Sequence, residues 1–459
     1  MADGIAPGRV RALAFLLPQF HPTPENDRFW GPGFTEWTNV VQASPLFEGH
    51  QQPHLPADLG FYDLRLHEVR QSQADLARAH GLHGFVYYHY WFSGRRLLHR
   101  PIDEVLASGA PDFPFCLCWA NENWTRRWDG LDSEILVEQR YSRDDDIAHM
   151  RWLAHAFADA RYIRVDGRPL LLVYRASRLP DPLATTRVWR DEARRLGIGE
   201  LYLCRVESFA TEKSDPRALG FDAAVEFQPD WEHLGAPWRV GSHRIFDYAT
   251  SAARMLARPL VHHPRFPCVV PSWDNAARRK AGATILHAAS PASYEQWLRD
   301  VLVAFTPPST DENFVFVNAW NEWAEGNHLE PCQRWQRGYL EATARALAGH
   351  TVPDPEWRAF ADRIAREAKG GRADALLALY RDASRLLDAG DAGAARAMFS
   401  HVLTQARDVD PELAGKAGFK LAMAGGDDAR RLLVECLALC PNHEAARRRL
   451  DAIDAEGAR

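Results

Sequence analysis

From Arg9 to about residue 350 the chain alternates short, almost uninterrupted apolar runs with longer stretches whose apolar residues recur at helical spacing. Eight runs stand out: Ala12–Leu17, Gly84–Tyr90, Phe115–Trp119, Leu170–Tyr174, Leu201–Arg205, Ala223–Phe227, Cys268–Val270 and Phe314–Asn318. A strand with one wet face alternates apolar and polar residues, whereas most of these do not, so they read as strands buried on both faces. Helical patterns fill most gaps, as at Leu66–Ala79, Asp144–Ala160, Thr185–Leu196 and Tyr294–Phe305. Eight such β–α units predict an α/β protein with a (β/α)8 barrel and inserted loops. A doubly wound sheet is the alternative. No G-x-G-x-x-G or G-x-x-x-x-G-K-[ST] follows the first run, which weakens nucleotide-binding versions of it.

The character of the chain changes after Trp357. All 16 tryptophans lie between Trp30 and Trp357, and from Ala361 onward alanine is abundant while the only aromatics are Tyr380, Phe399 and Phe419. Close-packed helices suit that composition better than a ligand cleft does. The expected division is therefore residues 1–352 as the barrel domain and 361–459 as a small all-α domain, with Pro353-Asp354-Pro355 as linker. In this tail Ala389-Gly390-Asp391 and Ala424-Gly425-Gly426 each precede a helical pattern, 35 residues apart. That offset resembles tetratricopeptide hairpins, which would offer a groove to a protein partner. A plain alanine-rich helical extension accounts for it equally well.

Composition narrows the function classes. With 55 Lys and Arg against 61 Asp and Glu, a net charge of -6, there is no general positive field for a phosphate backbone, and nucleic acid is not expected as a partner. No apolar stretch has the length of a membrane span. Seven cysteines lack the paired spacing of a zinc site, and Cys116 and Cys118 read as strand core, so neither metal nor cofactor is expected. The segment Arg9 to Phe20 holds one short apolar run ending at Pro18, without the longer core and cleavage site of a secretory signal, and predicts a cytoplasmic protein.

A barrel of this kind carries its site at the C-terminal ends of its strands, and the residues there are polar and aromatic together. The first run leads into Gln19 and His21, the second into Tyr88, His89, Tyr90 and Trp91, and the third into Trp119, Asn121, Glu122, Asn123 and Trp124. The seventh leads into Trp273 and Asp274, and the eighth into Asn321, Glu322, Trp323 and Glu325, with Glu330 further on. Aromatic faces stack on the C–H faces of sugars while Asn, Asp, Glu and His bind hydroxyls, so the mixture suits carbohydrate. Taken singly, Tyr88 and Trp119 also fit barrel core, and His89 a hydrogen-bonded structural histidine. Glu322 and Glu325 are three apart, which in a helical turn places them on one face, and glycoside cleavage needs one protonated and one ionised carboxyl. The Asp144-Asp145-Asp146 run, by contrast, reads as charge at a helix N-terminus rather than a metal motif.

The segment Asn321-Glu322-Trp323-Ala324-Glu325-Gly326, followed by Glu330-Pro331, resembles the catalytic segment of glycoside hydrolase family 99-like proteins and their WbsX-type relatives. Pro18-Gln19-Phe20-His21-Pro22, Phe34-Thr35-Glu36-Trp37, Tyr88-His89-Tyr90-Trp91 and Trp119-Ala120-Asn121-Glu122-Asn123-Trp124 resemble the WbsX branch, and the resemblance extends over roughly residues 10–350. It implies a catalytic (β/α)8 domain in bacterial surface-polysaccharide biosynthesis, acting by a retaining mechanism. It also implies that Glu322 deprotonates a sugar 2-hydroxyl, giving an anhydro-sugar, while Glu325 is general acid/base. The loops depart from the endo-mannosidase pattern, so mannose specificity does not carry over. The leading expectation is a hydrolase or transglycosylase, with a donor-dependent glycosyltransferase of lipopolysaccharide synthesis and a non-catalytic glycan-binding scaffold as alternatives.

Overall fold

The structure is a computed structural model and describes residues 10–126, 131–259, 261–388, 390–425 and 428–457. It divides into two compact units, one ending at Arg358 and one starting at Ala359.

In the first unit the eight apolar runs form strands of one parallel sheet. β1 (Arg11–Leu16), β2 (Gly84–Phe92), β3 (Phe115–Trp119), β4 (Arg168–Val173), β5 (Tyr202–Glu207) and β6 (Ala223–Glu226) pair in that order. β7 is interrupted: its first piece, Arg265–Phe266, pairs with β6, and its second, Cys268–Val269, pairs with β8 (Phe314–Val317), which returns to β1. The break falls at Pro267, which has no N–H for a ladder but whose carbonyl still accepts from the Phe316 N–H at 2.8 Å. The sheet thus closes on itself as a (β/α)8 barrel. Its interior is packed: the Phe15 ring lies 5.6 Å from Tyr88, 5.4 Å from Phe227 and 5.8 Å from Phe316.

Helices His67–Ala79, Arg100–Ser108, Arg143–Phe157, Pro182–Arg195, Tyr248–Leu256, Pro291–Ala304 and Gly338–Leu347 follow the other strands. Several begin where side chains satisfy the first free N–H groups, as Ser142 does for Asp145, Asp181 for Ala184 and Ser290 for Ser293. Asp144, Asp145 and Asp146 occupy a first helical turn, where the helix dipole favours negative charge. Between β5 and β6 the expected helix is replaced by a 3-10 turn, Pro216–Leu219. Arg205, Glu207 and Glu226 alternate there with Val206 and Val225, so one strand face demands charged partners rather than an apolar helix stripe. Glu226 meets Arg258 at 2.6 Å and Arg265 at 3.1 Å.

Two insertions shape the C-terminal face of the barrel. Trp238–Val240, His243–Asp247, Thr284–His287 and Trp273–Asp274 form a small sheet, and Asn321–Glu322 pairs with Asn327–His328 just beyond β8.

The second unit is helical. Pro355 opens a 34-residue helix, Pro355–Asp388, and the Asp354 carboxylate accepts from the Glu356 and Trp357 N–H groups at 2.9 and 3.3 Å. Ala392–Ala406, Pro411–Met423, Ala429–Leu439 and Glu444–Gly457 follow, each packed on the next around Phe399, Val402, Leu413, Ala417 and Leu433. Gly390 and Gly425 stand at turns with φ of 89° and 87°, while Ala389 and Gly426 lie outside the described residues. Small residues are needed for contact: a Cβ on Gly415 would collide with the Cys440 Sγ. Among the described residues no helix is long and apolar enough to cross a membrane.

Candidate active site

The strand ends and the two insertions enclose a cavity of about 630 Å³. Gln19 beyond β1, Tyr88 and Tyr90 on β2, and Glu122, Asn123 and Trp124 beyond β3 form one part of its wall. Tyr174, Phe209, Phe227 and Trp231 follow β4, β5 and β6, while the small sheet contributes Arg244, Trp273 and Thr284. Glu322 and Glu325 complete it beyond β8.

One guanidinium organises the charged floor. Arg278 lies just after a 3-10 turn at Asn275–Ala277 and gives Nη2 to the Glu36 Oε2 at 2.9 Å and to the Glu322 Oε2 at 2.8 Å, while Nη1 meets the Glu325 Oε1 at 2.7 Å. The turn is fixed from behind: Asp274 accepts from the Ala276 N–H at 3.0 Å and, on its other oxygen, from the Gln52 amide at 2.8 Å, with the His50 Nε2 at 2.7 Å. Burial works against a charge on Asp274, yet His50 and His54 hold its carboxyl below the usual value.

Three carboxylates around one cation leave negative charge in surplus. Burial drives the Glu322 carboxyl up, Arg278 pulls it back, and Glu325 and Glu36 push it up again, leaving it at about 8. Burial opposes the charge on Arg278, but Glu36, Glu325 and Glu322 hold it well above its ordinary value. Burial likewise keeps the Tyr88 and Tyr90 phenols neutral. The Glu325 side chain retains 21% of its exposure against 9% for Glu322, so one carboxyl is open to the cavity and the other enclosed. Such a pair can hold a proton on one oxygen and accept one on another at the same pH.

The model of one protein family, described as Glycosyltransferase WbsX, matches residues 12–343. The chain belongs to the WbsX family. Two relatives carrying the name "Uncharacterized protein WxcX", from Xanthomonas campestris pv. campestris strains B100 and ATCC 33913, are 48% and 47% identical over 346 residues. The match covers 73% of this chain and 49% of each relative, so the chain spans about half the length of the curated relatives it matches. Among solved structures, a "Glycoside hydrolase-like protein" is 14% identical with a TM-score of 0.49, over 75% of this chain and 95% of that one. The GH99 endo-alpha-mannosidase from Bacteroides thetaiotaomicron is 13% identical with a TM-score of 0.44, over 79% of this chain and 100% of its own.

In this WbsX-family barrel the residues singled out from sequence fall into two layers. Gln19, Tyr88, Tyr90, Glu122, Asn123, Trp124, Trp273, Glu322 and Glu325 line the cavity. The others stand behind the wall. His89 and Trp91 alternate with Tyr88 and Tyr90 along β2 and so face the helices: His89 stacks on Trp152 at 4.6 Å, and Trp91 gives its indole N–H to Asp145 at 3.0 Å. Trp119 donates to the Trp91 carbonyl at 3.2 Å. Asn121 ties β3 to β4 by exchanging 2.8 Å hydrogen bonds with the Arg175 backbone, and Asn321 ties β8 to β1 through Leu17 at 2.7 and 3.0 Å. Glu330 accepts from Trp323, Gln73 and Tyr62 at 2.6, 2.7 and 2.8 Å, and burial pushes its carboxyl to about 7 against those donors. Trp323 is thereby clamped between His328, stacked at 3.8 Å, and Trp37, at 5.5 Å, while Trp37 donates to the Tyr62 carbonyl. His21 is buried, and burial lowers its imidazole to about 4. These nine, with Asp274 behind the turn at Asn275–Ala277, are not among the residues that line the cavity, and most of their polar groups are engaged within the wall.

Two charged residues of the floor were missed. Arg278 opens an Arg-Arg-Lys run that reads as a solvated surface. Glu36 stands at the start of the helix Glu36–Gln42, where its charge is explained by the helix dipole alone.

Proposed function

We propose that this protein is a carbohydrate-active enzyme of bacterial surface-polysaccharide metabolism that cleaves or transfers glycosidic bonds with retention of configuration. The observation that carries this reading is the placement of Glu322 and Glu325 side by side on Arg278, in an aromatic cavity at the C-terminal face of the barrel.

Only the ionised form of Glu322 serves as base; with its carboxyl at about 8 that form is the minor one at neutral pH, but it is a stronger base than an ordinary carboxylate. It takes the proton of the sugar 2-hydroxyl as that oxygen attacks C1, while Glu325 gives a proton to the departing glycosidic oxygen. The anhydro-sugar then opens. An incoming hydroxyl attacks C1 and loses its proton to Glu325, and Glu322 returns a proton to the 2-oxygen. Two inversions restore the original configuration, and the incoming group, water or a sugar, decides between hydrolysis and transfer. Tyr90, Trp124, Trp231 and Trp273 supply aromatic surface for sugar rings.

A second reading, transfer from a nucleotide-sugar donor, is favoured by the family's description as a glycosyltransferase. The test is incubation with α- and β-linked oligosaccharides, with and without nucleotide sugars, followed by product masses. Cleavage or rearrangement without donor is the expected result. Donor-dependent extension supports the second reading, and binding without any product makes the barrel a glycan-binding scaffold.

A further inference from the structure

The proposed chemistry employs two carboxylates, but the floor contains three. Glu36 is fully buried, lies 242 residues before Arg278 in the chain and makes three contacts of 2.9–3.3 Å with the guanidinium that also holds Glu322 and Glu325. Its only other side-chain partner among the described residues is the Asn39 amide, at 3.4 Å. A lone helix-starting carboxylate serves as well exposed to water, where its charge costs nothing to solvate. Burying this one beside two other carboxylates is unfavourable unless the cation they share depends on it.

We propose that Glu36 and Arg278 are positioning residues: Glu36 clamps one edge of the Arg278 guanidinium, which then holds Glu322 and Glu325 side by side and couples the three carboxylates into one charged unit. This rests on the reading of Glu322 and Glu325 given above for its consequence in catalysis, but the coupling itself does not. The planar fork suits the task because Nη1 and Nη2 address different carboxylates in fixed relative positions, which a lysine ammonium cannot reproduce. The charged and titratable groups facing Glu322 are Arg278 and Glu325 from the loops beyond β7 and β8, Glu36 from the loop after β1, and Tyr88 and Tyr90 from β2. The raised Glu322 carboxyl agrees with this arrangement, since two of its neighbours are like charges.

The experiment follows the carboxyl of Glu322 directly, by NMR titration of the full chain isotope-labelled at glutamate side-chain carboxyls, its signal identified by its loss in Glu322→Gln. In Glu36→Gln that titration should move down by about one pH unit, because a like charge is gone and Arg278 is left with fewer carboxylates. Glu36→Asp should restore much of the wild-type position. In Arg278→Lys the charge remains while the fork is lost, so kcat should fall at least tenfold with little change in KM. An unmoved Glu322 titration in a folded Glu36→Gln variant overturns the proposal, and so does wild-type kcat in Arg278→Lys. If Arg278→Lys does not fold, the two Glu36 variants decide alone. A coupled titration in a protein without glycan activity defeats the proposed function and leaves this inference standing, whereas activity without coupling does the reverse.

Discussion

Glu322 and Glu330 are the same residue type, eight positions apart in one loop, both buried and both with carboxyls raised above the ordinary range. Their surroundings differ. Glu330 is ringed by neutral donors, Trp323, Gln73 and Tyr62, and is not among the residues lining the cavity. Glu322 shares a cation with two other carboxylates and lines the cavity. A raised carboxyl therefore does not mark a reacting group by itself. In the proposed reading, access to a ligand and the presence of a second exchangeable proton distinguish Glu322 and Glu325 from the residues behind the wall.

The largest effect that bears on this contrast is catalytic. Glu322→Gln and Glu325→Gln should keep the fold and lose activity by roughly 10²–10⁴-fold. With a leaving group that departs unassisted, Glu325→Gln should recover its bond-breaking step and Glu322→Gln should not. Equal recovery, or turnover near wild type in either, removes the role assignment.

Glu330→Ala comes next and should read out as stability. Three buried donors lose their acceptor, at a cost of about 2–4 kcal/mol in denaturant unfolding. A variant of unchanged stability but abolished ligand binding would move Glu330 from the supporting layer to the cavity.

Tryptophans divide in the same manner. Trp124→Ala and Trp273→Ala should weaken glycan affinity several-fold, about 1 kcal/mol each, measured by calorimetry. Trp91→Ala and Trp119→Ala should lower the melting temperature instead. Loss of affinity in all four at unchanged melting temperature would dissolve the two-layer distinction.

A final contrast is the pH dependence of stability. The Glu322 carboxyl stands at about 8 in the fold against 4.5 ordinarily, so the folded state keeps a proton that the unfolded chain has released. Stability from this group is complete below about pH 4.5 and is lost as pH rises through about 8. Glu322→Gln remains neutral throughout, so its melting temperature should gain on wild type between about pH 5 and pH 8. A constant difference across that range places the proton elsewhere in the cluster.

Much of the barrel was legible because strands buried on both faces leave a plain apolar signature, and each of the eight predicted runs overlaps an observed strand. The exceptions have local causes. Pro267 splits β7, and the charges on β5 and β6 displace a helix that the regular alternation predicts. Within the site, Glu322 and Glu325 were legible as a close pair flanked by tryptophans. The parity of β2 was not, since Tyr88, His89, Tyr90 and Trp91 are all aromatic and nothing in the sequence says which two face inward.

The sequence by itself determined the eightfold alternation, the change of character after Trp357 and the loops that carry polar and aromatic residues, because burial and helical spacing are written in neighbouring residues. Only the tertiary structure decided that Arg278 gathers Glu36, Glu322 and Glu325, and that Glu330, Asn121 and Asn321 serve the wall. Those groups are distant in the chain, and a charge acquires its partners, its solvation and its proton only when the barrel closes and brings the ends of β1, β7 and β8 together.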